Sequence, residues 1–277
     1  MTVEEPYLAA HAAGQEVYPA VFILEAVRQA VALALGERDG LLADLAAIRS
    51  LRVIGALHPA DQLIVEATVD PRGPDGVIAV EARCRPLDGP PMGRLVLEFW
   101  PGPAAGGPAA DGHAPDTGQS PGTAPPPGIG RLMAMLPAGP TIVLVDRIVG
   151  MVPGQSLSAV KAVTFSEPCY QDLASGLPDE RYAYPASLMI ESFGQAAIVL
   201  WHSRPDSVLA DKARLPVLAA LRDCRLEGRV YPGDTLRREV EFVRSVEATA
   251  FVTGATWAGT RRVATMGSVI ITATMPL

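Results

Sequence analysis

Two stretches of the chain carry apolar residues densely enough for a buried helix, with only isolated polar positions inside them. Both open at a proline: Pro19 precedes Ala20–Leu35, and Pro185 precedes Ala186–His202. A proline at a helix entry sacrifices nothing, because the first N–H groups of a helix have no internal acceptor. β-branched runs separated by turn residues follow each helix. They predict strands near Ser50–Gly55, Gln62–Val69, Gly76–Arg85 and Arg94–Phe99 in the first half. In the second half they lie near Pro216–Gly228, Thr235–Val243, Thr249–Ala258 and Arg262–Met275. Pro59-Ala60-Asp61 and Pro232-Gly233-Asp234 are the matching turns. An extra hairpin, Thr141–Val149 and Ser156–Thr164 joined at Pro153-Gly154, precedes the second helix; the first half begins too late to contain its counterpart. A long apolar helix followed by an antiparallel meander predicts an α+β fold in which a sheet wraps around the helix.

The halves repeat one another. Tyr18-Pro19-Ala20, Glu25 and Gln29-Ala30 recur at one constant offset as Tyr184-Pro185-Ala186, Glu191 and Gln195-Ala196. Ala46-Ala47, Arg49, Arg52, Gly55, Pro59, Asp61, Leu63 and Glu66 recur at a slightly larger constant offset, from Ala219-Ala220 to Glu239. Two collinear blocks with matched spacing read as a tandem duplication. Between the copies, Pro101–Gly128 holds eight prolines and seven glycines and almost no large apolar side chain. Such a segment cannot bury enough surface to order itself, so 101–128 reads as a flexible linker between 1–100 and 129–277.

Composition narrows the function. A 49% apolar fraction provides ample core, and a net charge of −7 opposes binding to a phosphate backbone, so no nucleic-acid partner is expected. Cys84, Cys169 and Cys224, like His11, His58, His113 and His202, are too scattered for a disulfide framework or a metal site, so no metal or cofactor is expected. The apolar stretches 18–35 and 187–201 are interrupted by Glu25, Arg28 and Gln29, and by Glu191 and Gln195, which argues against a membrane span. No secretory signal is visible, and a cytoplasmic location is expected.

The interruptions themselves carry the chemistry. A carboxylate inside an apolar helix is costly unless it is paired, turned outward or used. Glu25 and Glu191 occupy the equivalent place in both copies; Arg28 is one available partner. His11 stands upstream of Glu25, with Gly14 and Pro19 between them and Ala26 and Gln29 following. This run, spacing included, resembles the H-F-P-G-x-P-x-x-P-G-x-x-x-x-E/D…A-x-x-Q signature of 3-hydroxyacyl-[acyl carrier protein] dehydratases of the FabA/FabZ type. The second half resembles the same family over a greater length: Leu136-Pro137 and Leu144-Val145-Asp146-Arg147, Lys161–Pro168 as K-x-V-T-x-x-E-P, and Pro232-Gly233-Asp234-Thr235-Leu236 as P-G-D-x-L. The resemblance implies the hotdog fold, here as two tandem copies forming a pseudodimer.

Departures from the pattern are equally informative. The position as far ahead of Glu191 as His11 is ahead of Glu25 holds Leu177, so the second copy lacks the histidine. Ala20 and Ala186 replace the family's glycine after proline, and His11 lacks the Phe-Pro that follows it in the family. The family pairs the histidine of one hotdog with the acid on the other's helix. Carried over, this makes His11 and Glu191 the catalytic pair, with the Ala20 N–H as the substrate-binding donor to the thioester oxygen, and leaves Glu25 facing Leu177 in an inactive site. Imidazole suits removal of the C2 proton near neutrality, and a carboxyl in an apolar pocket suits protonation of the leaving hydroxyl. The implied partner is an acyl carrier protein bearing a phosphopantetheine-linked 3-hydroxyacyl chain, in fatty-acid or polyketide biosynthesis; assembly as a homo-oligomer or with a homologous subunit is compatible with this. Arg222, Arg225, Arg229, Arg237 and Arg238, with Lys212 and Arg214 nearby, form either a basic docking patch or a solvated surface balancing Glu227, Glu239 and Glu241. Competing readings are an acyltransferase of the A-factor synthase-like double-hotdog group, a hotdog thioesterase, and a degenerate acyl-binding or partner subunit.

Overall fold

The computed structural model describes residues 18–35, 44–55, 57–58, 61–73, 76–101, 126–136 and 138–275. His11, Pro59-Ala60, Pro137 and nearly all of the Pro/Gly-rich segment lie outside the described residues.

Both long helices form where the apolar runs place them: α1 spans Ala20–Ala34 and α3 spans Ala186–His202. The strands of the first half are β1 (Leu45–Val53), β2 (Leu63–Asp70), β3 (Ile78–Pro86) and β4 (Gly93–Phe99). A short helix α2 (Ile129–Met135) precedes the hairpin β5 (Arg147–Val152) and β6 (Ser156–Ala162). After α3 come β7 (Leu215–Leu226), β8 (Thr235–Val246), β9 (Thr249–Ala258) and β10 (Arg261–Thr274). All ten strands belong to one sheet, ordered β2-β3-β4-β1-β7-β10-β9-β8-β6-β5, and every pairing is antiparallel.

The order of the sheet follows the sequence repeat. The first half contributes β2-β3-β4-β1 and the second β8-β9-β10-β7, and the two sets meet at β1 and β7. Across that junction Ala47 faces Arg225 and Arg52 faces Ala220, so each pair is the image of the other under the repeat. Local hydrogen bonds recur too. Tyr18 N–H donates to Leu57 C=O at 2.8 Å, and Tyr184 N–H to Val230 C=O at 2.7 Å. The Asp61 carboxylate accepts from His58 N–H at 2.8 Å, and Asp234 from Tyr231 N–H at 3.0 Å. The β5–β6 hairpin, predicted from its turn, pairs with the outer edge of β8.

α1 and α3 pack against each other and line one face of the sheet, α1 against β2 and β7, and α3 mainly against β8 and β6. α3 is buried almost all round, with Phe193, Ala196, Ala197 and Trp201 inaccessible to solvent, because helix and strands enclose it on several sides. Close packing over α3 demands a glycine at 254: a Cβ there would stand 1.9 Å from the Glu239 carbonyl and 3.0 Å from the Phe193 ring. No helix among the described residues is long and apolar enough to cross a membrane.

Candidate active site

The two helix carboxylates lie on neighbouring helices but in different company. Glu25 on α1 is held by Arg28, whose Nη2 donates to Oε1 at 2.6 Å and Nε to Oε2 at 3.0 Å. Gln29 Nε2 adds a bond at 3.0 Å, and the Ser187 hydroxyl, in the first turn of α3, reaches the same carboxylate at 3.5 Å. Glu25 is therefore occupied by a forked guanidinium pair, the strongest common arrangement for a carboxylate.

Glu191 on α3 has no cation beside it among the described residues. The position equivalent to Arg28 in the repeat is Gly194, which has no side chain to offer. Among the described residues, Gln195 Nε2 donates to the Glu191 carboxylate at 3.1 Å. That amide is itself fixed: it donates to Ile142 C=O at 2.8 Å and accepts from Leu144 N–H at 2.8 Å. Ser192, the next residue along the helix, donates to Leu144 C=O. The Leu-Val-Asp-Arg segment thus clamps α3 through backbone groups, and a neutral amide presents the half-buried Glu191.

At the entry to α1, Pro19 leaves the first turn without a side-chain cap, and no acidic residue occupies that turn. The Ala20 N–H therefore stands at the positive end of the helix, where an oxyanion is favoured. His11 is not among the described residues. Leu177, half-buried, lies in the segment between β6 and α3. Tyr170, on the 3-10 turn Pro168–Tyr170 that also carries Cys169, is buried and stacks on Phe165 with ring centroids 5.4 Å apart.

The arginine patch is corrected by the structure. Arg238 is wholly buried, Arg237 is mostly covered and pairs with Glu239 at 3.2 Å, and Arg229 pairs with Asp44 on the other half. Arg222 and Arg225 are exposed on β7. Alternation along β8 turns Arg238 inward between Leu236 and Val240, so these side chains do not share one solvated face.

Several features emerge only in three dimensions. The Lys161–Pro168 motif is a clasp: Lys161 Nζ pairs with Glu167 at 2.9 Å, with both side chains about nine-tenths buried, and Thr164 N–H donates to the same oxygen at 3.1 Å. Lys161→Met strands the Glu167 charge and is expected to lower unfolding free energy by about 3 kcal/mol, measured by chemical denaturation. Burial pushes the Cys84 and Cys224 thiols up to about 11, so neither is a nucleophile near neutrality. No group of three or more His, Cys, Asp or Glu among the described residues could hold a metal ion.

Residues 136–267 match the model of the FabA-like domain. The chain is 34% identical over 111 residues to 3-hydroxyacyl-[acyl-carrier-protein] dehydratase FabZ of Symbiobacterium thermophilum, covering 40% of this chain and 72% of that protein. It is 34% identical over 116 residues to the FabZ of Myxococcus xanthus, covering 42% of this chain and 72% of that protein. Among solved structures, a trans-AT PKS dehydratase domain from Brevibacillus brevis superposes with a TM-score of 0.67 at 14% identity, covering 99% of this chain and 92% of that one. The dehydratase domain of the CurJ module of Curacin polyketide synthase gives 0.65 at 12% identity, covering 98% and 88%. The structural neighbours share the fold over both halves, whereas the family model matches the second. The chain belongs to the FabA/FabZ family of 3-hydroxyacyl-[acyl-carrier-protein] dehydratases.

Proposed function

We propose that this protein eliminates water from a 3-hydroxyacyl thioester carried on an acyl carrier protein, giving the 2-enoyl thioester, at one site built from both halves of the chain. The observation that carries this reading is the contrast between the two helix carboxylates. Glu25 is bound to Arg28, while Glu191, with Gly194 in place of that arginine, meets a neutral amide and no cation among the described residues.

The site rests on a tandem pair of hotdogs arranged as a pseudodimer. The repeated strand order, the recurrent Tyr18–Leu57 and Tyr184–Val230 bonds, and the self-exchanging register of β1 with β7 support that arrangement. The Ser187–Glu25 contact supports its consequence, that the helix entry of one half meets the acid of the other. By the same relation the entry of α1, with His11 upstream, serves Glu191.

The chemistry then divides in a defined way. The His11 imidazole removes the C2 proton, and the Glu191 carboxyl protonates the C3 hydroxyl as its C–O bond breaks. The C–H electron pair becomes the C2=C3 double bond, and water leaves. His11 ends protonated and Glu191 ionised, and one proton returned from imidazolium to carboxylate restores both. Negative charge passing through the thioester oxygen is met by the Ala20 N–H at the positive end of α1. An Ala in place of Gly keeps that N–H.

Gln195 acts here as a positioning residue, because its amide is fixed by Ile142 and Leu144 before it meets Glu191. Gln195→Leu is expected to lower kcat about 10–100-fold with KM little changed, and Gln195→Glu not to restore it, since a carboxylate cannot donate. Mass spectrometry of the acyl carrier protein tests the reading itself: a 3-hydroxyacyl thioester should lose the mass of one water in the presence of the protein.

A further inference from the structure

The two halves of the chain share a fold but not its covering. On α3, Ser192, Gln195, Ala196, Val199 and Leu200 form one stripe of the helix, and all of them are buried. Leu144 and Ile142 hold Ser192 and Gln195 there through backbone groups, and β6 and α2 pack against the same helix. The repeat sets this stripe against Ala26, Gln29, Ala30, Leu33 and Ala34 on α1, none of which is buried. Leu33 is 79% exposed, whereas its counterpart Val199 is 1% exposed.

The strand beside the α1 stripe is open in the same way. Among the described residues β2 pairs with β3 alone, whereas its counterpart β8 is closed on the outer side by β6. Ala67 of β2 is exposed, and Val240 at the matching place of β8 is buried. A bare strand edge beside a bare apolar stripe invites aggregation, and proteins blunt such edges with proline, lysine, a bulge or an inward charge. β2 has none of these. Its register with β3 is unbroken, Val65 and Val69 pack toward the core, and its acid Glu66 sits across from Arg83 on the outer face. The opposite edge of the sheet, β5, is shorter and carries a register break between Ile148 and Gly150.

β2 is also complementary to itself. Side chains alternate between the faces of a strand, so an antiparallel pair keeps its apolar face continuous only in alternate registers. Centred on Ala67, a β2–β2 pair sets Val65 of one copy against Val69 of the other on the inner face. On the outer face it sets Glu66 against Thr68 and Ile64 against Asp70. Centred on Glu66 the pair would oppose two carboxylates, and centred on Thr68 it would oppose Glu66 to Asp70; like charges directly opposite destabilise a strand pair.

We infer that the open face of the first half, the outer edge of β2 with the α1 stripe beside it, is an interface between two copies of this chain related by a two-fold axis at Ala67. The second copy's strand takes the place on β2 that β6 takes on β8, and Leu33 is covered as Val199 is. A two-fold contact uses the same patch on both copies and closes, so no bare edge remains at β2. The interface is independent of the dehydration chemistry.

Analytical ultracentrifugation of the full chain tests it. A reversible species of twice the chain mass is expected, with Kd in the micromolar range or tighter. Ala67→Lys and Ala67→Glu, each alone, should weaken it about tenfold or more, because each brings two like charges together at the axis. An equal mixture of these two variants should recover the dimer, since opposite charges then meet. Leu33→Glu should weaken it by a similar factor. Both positions are exposed in the single chain, so the variants keep the fold, which circular dichroism and thermal unfolding check. Amide exchange along β2 in the wild type should slow as concentration rises through Kd. A chain that stays monomeric at every concentration overturns the interface, as does a dimer that tolerates any of the three variants. A mixture no tighter than its components, or exchange along β2 that is slowed only by adding a different protein, overturns it equally.

Discussion

Glu191→Gln is expected to lower turnover of a 3-hydroxyacyl carrier-protein thioester by about 10³-fold or more, while Glu25→Gln leaves it within about threefold. Glutamine keeps the size of the side chain and its contact with Gln195, so the fold and the binding of substrate persist, but it has no acidic proton for the departing hydroxyl. The loss should therefore fall on kcat, with KM nearly unchanged. A 10³-fold loss corresponds to about 4 kcal/mol of transition-state stabilisation, within the range for a positioned acid. Glu25→Gln only loosens the half-buried pair with Arg28. Steady-state kinetics on the two variants separates the alternatives: loss in Glu25→Gln with Glu191→Gln active would assign the chemistry to the opposite pairing.

His11→Asn is expected to cost a comparable factor, and the two losses should not add, because base and acid act in one transition state. The double variant should be little slower than either single one. Wild-type kcat/KM should also fall on the acid side as an imidazole of pKa near about 6.5 becomes protonated and can no longer accept the C2 proton. That limb should vanish in His11→Asn. Activity of His11→Asn within about tenfold of wild type would remove His11 from the mechanism.

Much of the fold is legible in the chain because both long helices are apolar and proline-initiated, with no proline inside them. α3 has the predicted bounds, and α1 ends just short of its own, at Ala34. The hairpin predicted at Pro153-Gly154 forms, although its first strand begins at Arg147 and not at Thr141; a 3-10 turn at Pro140–Ile142 occupies part of that stretch. β1 begins at Leu45, ahead of the predicted start at Ser50, because Leu45-Ala46-Ala47-Ile48 becomes a strand through burial between β4 and β7 more than through the propensity of its alanines. Helix α2 is too short to show a helical period, and only Leu132 of it is buried.

The two helix carboxylates, Glu25 and Glu191, are visible as charges inside apolar stretches, and the repeat that sets Tyr18-Pro19 against Tyr184-Pro185 sets one against the other. Their difference was written in the same repeat, at Arg28 against Gly194, yet its meaning needed the distances from Arg28 to Glu25. The misplacement of Arg238 has a simple origin. A cluster of arginines invites a surface reading, whereas the alternation of Leu236, Arg238 and Val240 along β8 turns that one inward. His11, outside the described residues, stands on its spacing to Glu25 and on the family resemblance alone.

The most direct test of the central claim is to incubate the purified chain with 3-hydroxyacyl thioesters of an acyl carrier protein, at several chain lengths, and to follow the carrier by mass spectrometry beside Glu191→Gln and Glu25→Gln. Loss of one water with wild type and Glu25→Gln, and none with Glu191→Gln, is the predicted result. Full retention of the hydroxyl by every substrate that the wild type binds would contradict it.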